Sequence, residues 1–464
     1  MQGFQIMIRM RTFLIIWFGQ LISIIGSGLT GFGLSVWIYE QTGQALPIAL
    51  NALFFNLPRV LLAPFAGAIA DRYDRRSIMI LADIGAAVAT LGVVVMLLTG
   101  RLEVWHIYLS TVLSSSFSAF QDPAYRASIT MLVPKEDLAR AGGMDQMSFA
   151  VQSIITPLLA GVLYAGFGLQ AIIVIDFATF LFAVGALALV HIPQPQSAIG
   201  GPEDSGRDSM WRNTTFGWKY LLKRPGLFGL LCYYAVVNFF LSFSSVLVAP
   251  LVLSNGTPAE LGVVQTSGGV AMLVGGLIMS FWGGPKSRRI WGVIAAIAIS
   301  GFGFLLAGLR PSTSLIASAQ FVILLFIPIS AAISQAVWQM KVAPDIQGRV
   351  FAIRSMIAFS IMPIANIAAG LLADKVFEPL MAKGGFLGGT IIGVAIGVGS
   401  GRGIALIFVI SALFLWLSSI IAFATPRIRN LELEIPDAIP NRPSEVQPEI
   451  DGVPIKEMVP VQGS

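Results

Sequence analysis

The sequence predicts an all-α membrane protein with twelve transmembrane helices in two six-helix bundles, and three observations carry that prediction. Of 464 residues, 56% are hydrophobic and only 11% are charged, with a mean hydropathy of +0.81; a soluble chain carries about a quarter charged residues. The apolar residues fall in runs of twenty or more, the length a helix needs to cross ~30 Å of hydrocarbon at ~1.5 Å per residue. The chain also repeats itself. Arg140 precedes Ala160-Gly161-Val162-Leu163 and Arg349 precedes Ala369-Gly370-Leu371-Leu372, with 21 residues from Arg to Gly both times and each Arg following a turn with proline, Pro134 or Pro344. Two parallel halves of six helices fit such a repeat.

Hydrophobic runs and their breakers place spans at Phe13–Tyr39, Ala45–Ala70, Ser77–Thr99, Val104–Arg126, Met144–Ala165 and Leu169–His191 in the first half. The second half gives Leu227–Leu253, Leu261–Trp282, Ile290–Leu309, Leu315–Val337, Val350–Ala373 and Ile404–Ala424. An even number leaves both termini on one side. With that side cytoplasmic, 23 Lys and Arg fall on inner segments, Arg354 counted among them. Only 5 (Arg101, Arg310, Lys375, Lys383 and Arg402) fall outside, and Arg59 alone is left within a span. The basic pI near 9.4 is therefore a topological signal of insertion in the cell's inner membrane, with no call for a nucleic-acid partner. Residues 1–192 form the first bundle and 227–424 the second. Residues 193–226 form a cytoplasmic linker, in which Trp211–Arg224 mixes aromatic and basic residues as an interfacial helix against lipid headgroups does. Residues 425–464, rich in proline and poor in aromatics, read as a disordered tail. The first apolar segment is too long for a signal-peptide core and is expected to stay as a helix.

Several function classes are excluded by what the chain lacks. One cysteine, Cys232, leaves no internal disulfide or thiolate metal site, and the two histidines, His106 and His191, lie far apart in sequence. Gly284-Pro285-Lys286-Ser287 is not a phosphate-binding loop, and the glycine-rich 397–403 stretch has no strand before it. No catalytic triad, paired carboxylate or zinc signature appears on an inner loop, so no enzyme activity, cofactor or metal is expected.

Charge is concentrated where Asp71, Arg72, Asp74, Arg75 and Arg76 form a tight inner turn between the second and third spans. This turn resembles the signature loop of the major facilitator superfamily, Gly-x-x-x-Asp-Arg-x-Gly-Arg-Arg, matched by Gly67, Asp71, Arg72, Arg75 and Arg76, with Asp74 in place of the family's last glycine. The resemblance covers nearly the whole chain before the tail. It is closest to the drug:proton antiporter branch that holds the macrolide-efflux proteins and the enterobactin exporter, through Trp17–Ser23, Leu132–Arg140, Gly348–Phe351, Asp374–Met381 and Gly399–Gly403. The resemblance implies a latch: Asp71 sits against the start of the eleventh span, Arg75 reaches a carboxylate on the fourth, for which Asp122 is the candidate, and Arg72 and Arg76 enforce orientation. The alternative is a topological staple. The matching turn of the second half, Trp282–Arg289, keeps the Arg pair without the acid. In the fifth span, Thr156-Pro157-Leu158-Leu159-Ala160-Gly161 stands where drug:proton antiporters carry Gly-Pro-x-x-Gly-Gly, which implies a hinge and seal between the halves.

Polar groups at membrane depth complete the candidate set. Arg59 lies twelve residues before Asp71, roughly 18 Å along a helix. A charge there costs about 2.5–3.5 kcal/mol even on the insertion scale, so it faces a partner or water. Asp83, Asp176 and Glu40 are its candidate partners. A desolvated carboxylate among these could carry a proton or form a permanent ion pair, and the sequence leaves both open. Asn51, Asn56, Gln152, Asn238, Gln265, Gln335 and Asn366, with Phe54, Phe55, Phe239, Phe240, Phe243 and Trp338, suit a cavity for bulky amphipathic compounds. The expected protein is a monomeric proton-driven exporter of a hydrophobic or amphipathic small molecule. The alternatives are a siderophore or lysolipid exporter, an uncoupled facilitator, and a non-transporting scaffold.

Overall fold

The computed structural model describes residues 10–133, 138–190 and 218–437; within the helices some side chains, including those of Asp71, Arg72, Arg140 and Arg349, lie outside the described residues. Among the described residues the chain is helical, without strands. As far as the described residues run, each expected span falls on a helix, the fifth and sixth on the same one. The first half holds α1 (Arg11–Thr42), α2 (Leu46–Arg72), α3 (Arg75–Leu98), α4 (Val104–Leu132) and α5 (Leu138–Ala188). The second holds α6 (Pro225–Leu253), α7 (Pro258–Trp282), α8 (Arg289–Leu309), α9 (Thr313–Lys341) and α10 (Pro344–Leu372). A π-helical turn (Ala373–Phe377) and short helices α11 (Glu378–Met381) and α12 (Ile391–Ile396) lead to α13 (Arg402–Ala424). Eight of the described helices (α1, α3, α5 to α9 and α13) are long and apolar enough to cross a bilayer by length and composition.

The fifth and sixth spans run as one helix, α5, broken at Gly168 with φ 71° and ψ −173°. Only glycine holds that backbone without strain, so the two arms fold back at this residue. Short connections make successive helices antiparallel. The α2–α3 turn and the start of α10 therefore share one face, the basic face, and the Gly168 kink lies on the opposite one.

Local sequence sets the helix ends. Asp74 caps α3. Glu103 and His106 form a capping box for α4, in which His106 Nδ1 accepts from the Glu103 N–H at 3.0 Å. Thr257 and Glu260 form the equivalent box for α7. The glycine-rich 397–403 stretch is a turn: Gly397, Gly399 and Gly401 all take positive φ. It delivers the N-terminus of α13 to Glu378, which accepts from the N–H groups of Gly401 and Ile404 at 3.1 and 3.0 Å. Burial pushes the Glu378 carboxyl up from its ordinary value, and these backbone donors oppose that.

The first bundle is zipped by small residues. Gly19, Gly26 and Gly33, seven apart on α1, face Ala186, Thr179 and Ile172, seven apart on the second arm of α5. A Cβ on Gly19 would sit 2.9 Å from that of Ala186, so the backbones can approach closely only without side chains there.

Two expectations for the polar segments change. Of the interfacial helix expected over Trp211–Arg224, residues up to 217 lie outside the described set; 218–222 are helical, Leu221 is fully buried, and the Arg224 guanidinium stacks 3.8 Å over Tyr220. The segment expected to be a disordered tail begins with structure: α14 (Pro426–Arg429) and α15 (Leu431–Glu434) pack Ile428 and Leu431 into the second bundle. The physical reason is Lys341 at the end of α9. Its buried ammonium donates to the carbonyls of Glu432 and Ile435 at 2.7 and 2.5 Å and pairs with Asp437 at 2.7 Å. Glu432 in turn accepts from the N–H of Ile290 at 3.3 Å, in the first turn of α8. Lys341→Ala is expected to release this strap while leaving the bundle folded. Trypsin should then cut at Arg427 and Arg429 well before any bundle site; unchanged cleavage kinetics would remove the role given to Lys341.

Candidate functional site

At the charged turn, Asp74 accepts from the N–H and hydroxyl of Ser77 at 2.9 and 2.6 Å. Arg76 donates from Nε to the Leu187 carbonyl and from a terminal nitrogen to that of Ala188, at 2.8 and 2.7 Å. It thus places a cation on the C-terminal carbonyls of α5, the negative end of a helix dipole. Arg75 reaches α4 as expected, but its acceptor is the Ala127 carbonyl at 2.7 Å and not Asp122. Asp71 and Arg72 stand at the end of α2, and their side chains lie outside the described residues.

Asp122 is instead the partner of Arg59, at 3.4 Å. This corrects two expectations at once, since Asp83 and Asp176 do not hold Arg59. Depth explains the exchange: Ala127 lies five residues, or ~7.5 Å, nearer the basic face than Asp122, within reach of the turn, whereas Arg59 sits well inside α2. The Arg59 guanidinium also lies 4.9 Å over the ring of Phe55. Asp122 keeps 67% of its side-chain surface exposed, and a charge at that depth faces water and not lipid.

The remaining carboxylates of the first bundle have neutral partners. Asp83 is buried between two amides, accepting from Gln121 Nε2 at 2.7 Å and Gln20 Nε2 at 3.4 Å, while Gln121 also reaches Gln20 Oε1 at 3.1 Å. Asp176, 1% exposed, sits in the α1–α5 seam and accepts from the hydroxyls of Thr30 at 2.6 Å and Ser27 at 3.5 Å. A Cβ on Gly26 would come within 2.9 Å of its oxygen, so that glycine makes room for the carboxylate. Glu40 accepts from the Tyr164 hydroxyl at 2.6 Å, and Asp145 from that of Tyr125 at 2.9 Å.

Of the candidate amides, Asn56 donates to Ala52 of its own helix at 2.8 Å and Gln152 to the Ile24 carbonyl at 3.3 Å, joining α5 to α1. Asn238 lines a cavity of about 170 Å³ between α6, α9 and α10, together with Tyr234, Ile327, Ser330, Ile357 and Arg354. Sequence reasoning assigned Arg354 to an inner loop. The structure puts it ten residues into α10, where it donates to Gln335 Oε1 at 2.7 Å and lies 5.3 Å over the ring of Trp338. The missed signal was the residue's place inside the expected span Val350–Ala373. The repeat relates it to the first half: Tyr125 with Asp145 and Gln335 with Arg354 stand 210 and 209 residues apart, so an acid on one side answers a base on the other.

The halves meet on the opposite face. A Cβ on Gly161 would sit 2.9 Å from the Pro258 carbonyl and 3.2 Å from the Cα of Gly262, and one on Gly262 would sit 2.5 Å from the Pro157 carbonyl. Ala160 is fully buried beside this contact, and Thr156 packs its methyl on Gly28. The degenerate Thr156–Gly161 stretch therefore lies in a backbone-to-backbone seam between α5 and α7. Nearby, Gly370 of α10 abuts Leu46 and Ala49 of α2. Asp374, just beyond α10, accepts from the N–H groups of Ala45 and Leu46 at 2.9 and 2.7 Å. One carboxylate of the second half thus caps the N-terminus of a helix of the first.

Residues 16–366 match the Major Facilitator Superfamily. The chain belongs to that superfamily. Macrolide efflux protein A of Streptococcus pyogenes is 30% identical over 369 residues, covering 78% of this chain and 90% of the relative. Enterobactin exporter EntS of Shigella flexneri is 25% identical over 222 residues, 47% of this chain and 51% of the exporter. In fold, the chain is similar to the crystal structure of a bacterial homologue of the human lysosomal transporter Spinster, with a TM-score of 0.67 at 16% identity, covering 92% of this chain and 98% of that one. A member of the superfamily is a multi-pass membrane transporter and not an enzyme, and the helical architecture fits that role.

Proposed function

We propose that this major-facilitator protein exports a hydrophobic or amphipathic small molecule across the bacterial inner membrane in exchange for protons, acting as a monomer with its basic face and both termini in the cytoplasm. The carrying observation is where the halves meet among the described residues. Glycine-lined backbones and the Asp374 cap close the opposite face, while Arg59, Asp122 and Arg354 stay accessible toward the basic one. That arrangement reads as a vestibule open to the cytoplasm and sealed from outside. Rocking the halves about the α5–α7 seam would open it the other way. Asp71 at the start of α10 would then latch the cytoplasmic side, as the family resemblance implies, and Arg72 and Arg76 would meet lipid phosphates.

The similarity to macrolide and siderophore exporters supports export over import, and the charges carried at membrane depth speak against an inert scaffold. Cells that express the protein should accumulate less of a transported compound than cells that lack it, and a protonophore should erase the difference. Export that persists without a proton gradient would overturn the antiport half of the proposal.

A further inference from the structure

The second bundle treats charge differently from the first. Its six expected spans contain no Asp or Glu, and Arg354 is the one charged residue among them. An arginine at membrane depth is costly and calls for compensation. No carboxylate provides it among the described residues: the neighbours are the Gln335 carbonyl oxygen and the face of Trp338. Among the described residues of the first bundle, Asp122 is taken by Arg59, and Asp83, Asp145, Asp176 and Glu40 by amides or hydroxyls.

Two polar groups converge on the cavity beside Arg354. The Tyr234 hydroxyl is tied to Ser330, 2.6 Å from its Oγ. The Asn238 amide, on α6, makes no hydrogen bond among the described residues. The rest of the wall is apolar, including Leu231, Val237, Leu241 and Ile327. A guanidinium fork and an amide over an aliphatic floor match a planar oxyanion joined to a compact apolar body. The guanidinium repels an ammonium.

We infer that this cavity takes an organic acid: Arg354 and Asn238 grip the carboxylate or sulfonate of the transported molecule, and the apolar wall takes its body. This rests on the export reading and narrows its substrate to an acidic amphipath, in contrast to a cationic drug. Arg354 is then the specificity determinant, and the bound anion supplies the counter-charge that its position at membrane depth lacks.

The test uses the purified full chain in lipid nanodiscs and three probes of one shape, 2-naphthoate, 2-naphthamide and 2-naphthylmethylammonium, titrated calorimetrically. The acid is expected to bind roughly tenfold tighter than the amide, the scale of one charge-assisted hydrogen bond, with the amine weakest. Arg354→Gln should erase the advantage of the acid over the amide. Arg354→Lys should keep part of it, and Asn238→Leu should reduce it, so the outcome does not hang on one variant folding. An amine that binds as tightly as the acid, an acid advantage that survives in folded Arg354→Gln, or a folded wild type that binds none of the three would each overturn the inference. No gradient enters the titration. Acid-selective binding by a protein that moves nothing would sink the export reading alone, and export without acid selectivity would sink this inference alone.

Discussion

Replacing Asp374 with alanine is expected to open the face that the structure shows closed. Both carboxylate oxygens of Asp374 accept backbone N–H groups across the bundle interface, from Ala45 and Leu46 at 2.9 and 2.7 Å. A hydrogen bond to a charged group contributes roughly 1.5–3 kcal/mol net, and an anion at a helix N-terminus adds about 0.3–1 kcal/mol. Each ~1.4 kcal/mol is tenfold in a conformational equilibrium, so the loss should favour the outward-open state by at least about tenfold. The apolar packing of Gly370 on Leu46 and Ala49 remains and opposes full opening. Asp374→Asn keeps one acceptor oxygen without the charge and should fall between. Spin labels at the exposed residues Gln44 and Lys383 would report the change as a longer distance population. An unaltered distribution in Asp374→Ala would show that the glycine seam alone holds this face, and the latch would be reduced to a local cap.

Asp374 illustrates what sequence carries and what it hides. Span positions were legible because length and apolarity decide them, and in the structure the break between the fifth and sixth spans falls at Gly168, whose backbone few other residues hold. The Gly19, Gly26 and Gly33 ladder was present as a seven-residue spacing, but its partners on α5 emerge only when the helices are packed. Depth along a helix can be counted from sequence; the direction a side chain faces cannot. Arg59 therefore had several acids at plausible levels, and the structure pairs it with Asp122, which the family pattern had reserved for Arg75. Asp374 was visible only as a family marker in an outer loop, since nothing in a linear chain shows that it will meet Ala45, 329 residues away. The C-terminal strap was hidden for a related reason. Proline-rich composition argues for disorder, yet Ile428, Leu431 and a single buried lysine suffice to dock its first dozen residues.

Under the proposed antiport, neutralising Asp176 is expected to separate substrate movement from proton movement. The carboxylate is almost wholly buried in the α1–α5 seam, with the hydroxyls of Thr30 and Ser27 as its partners and no cation among the described residues. Hydroxyls both donate and accept, so they can hydrogen-bond this group whether or not it carries a proton. Asp83 differs: its partners are amide N–H groups of Gln20 and Gln121, which can only donate and so demand an acceptor oxygen. Of the two buried acids, Asp176 is the one whose surroundings tolerate a proton coming and going, and α1 and α5 would carry it as the bundle tilts. In proteoliposomes, Asp176→Asn should keep substrate counterflow at equal pH on both sides, because asparagine still accepts from Thr30. It should lose accumulation driven by an imposed pH gradient. Asp83→Asn should retain both, with reduced stability as its cost, since an amide replaces one of the two oxygens its donors need. Gradient-driven accumulation intact in folded Asp176→Asn would show that the coupling proton rides elsewhere, and Asp122 beside Arg59, open to water, would be the next carboxylate to neutralise.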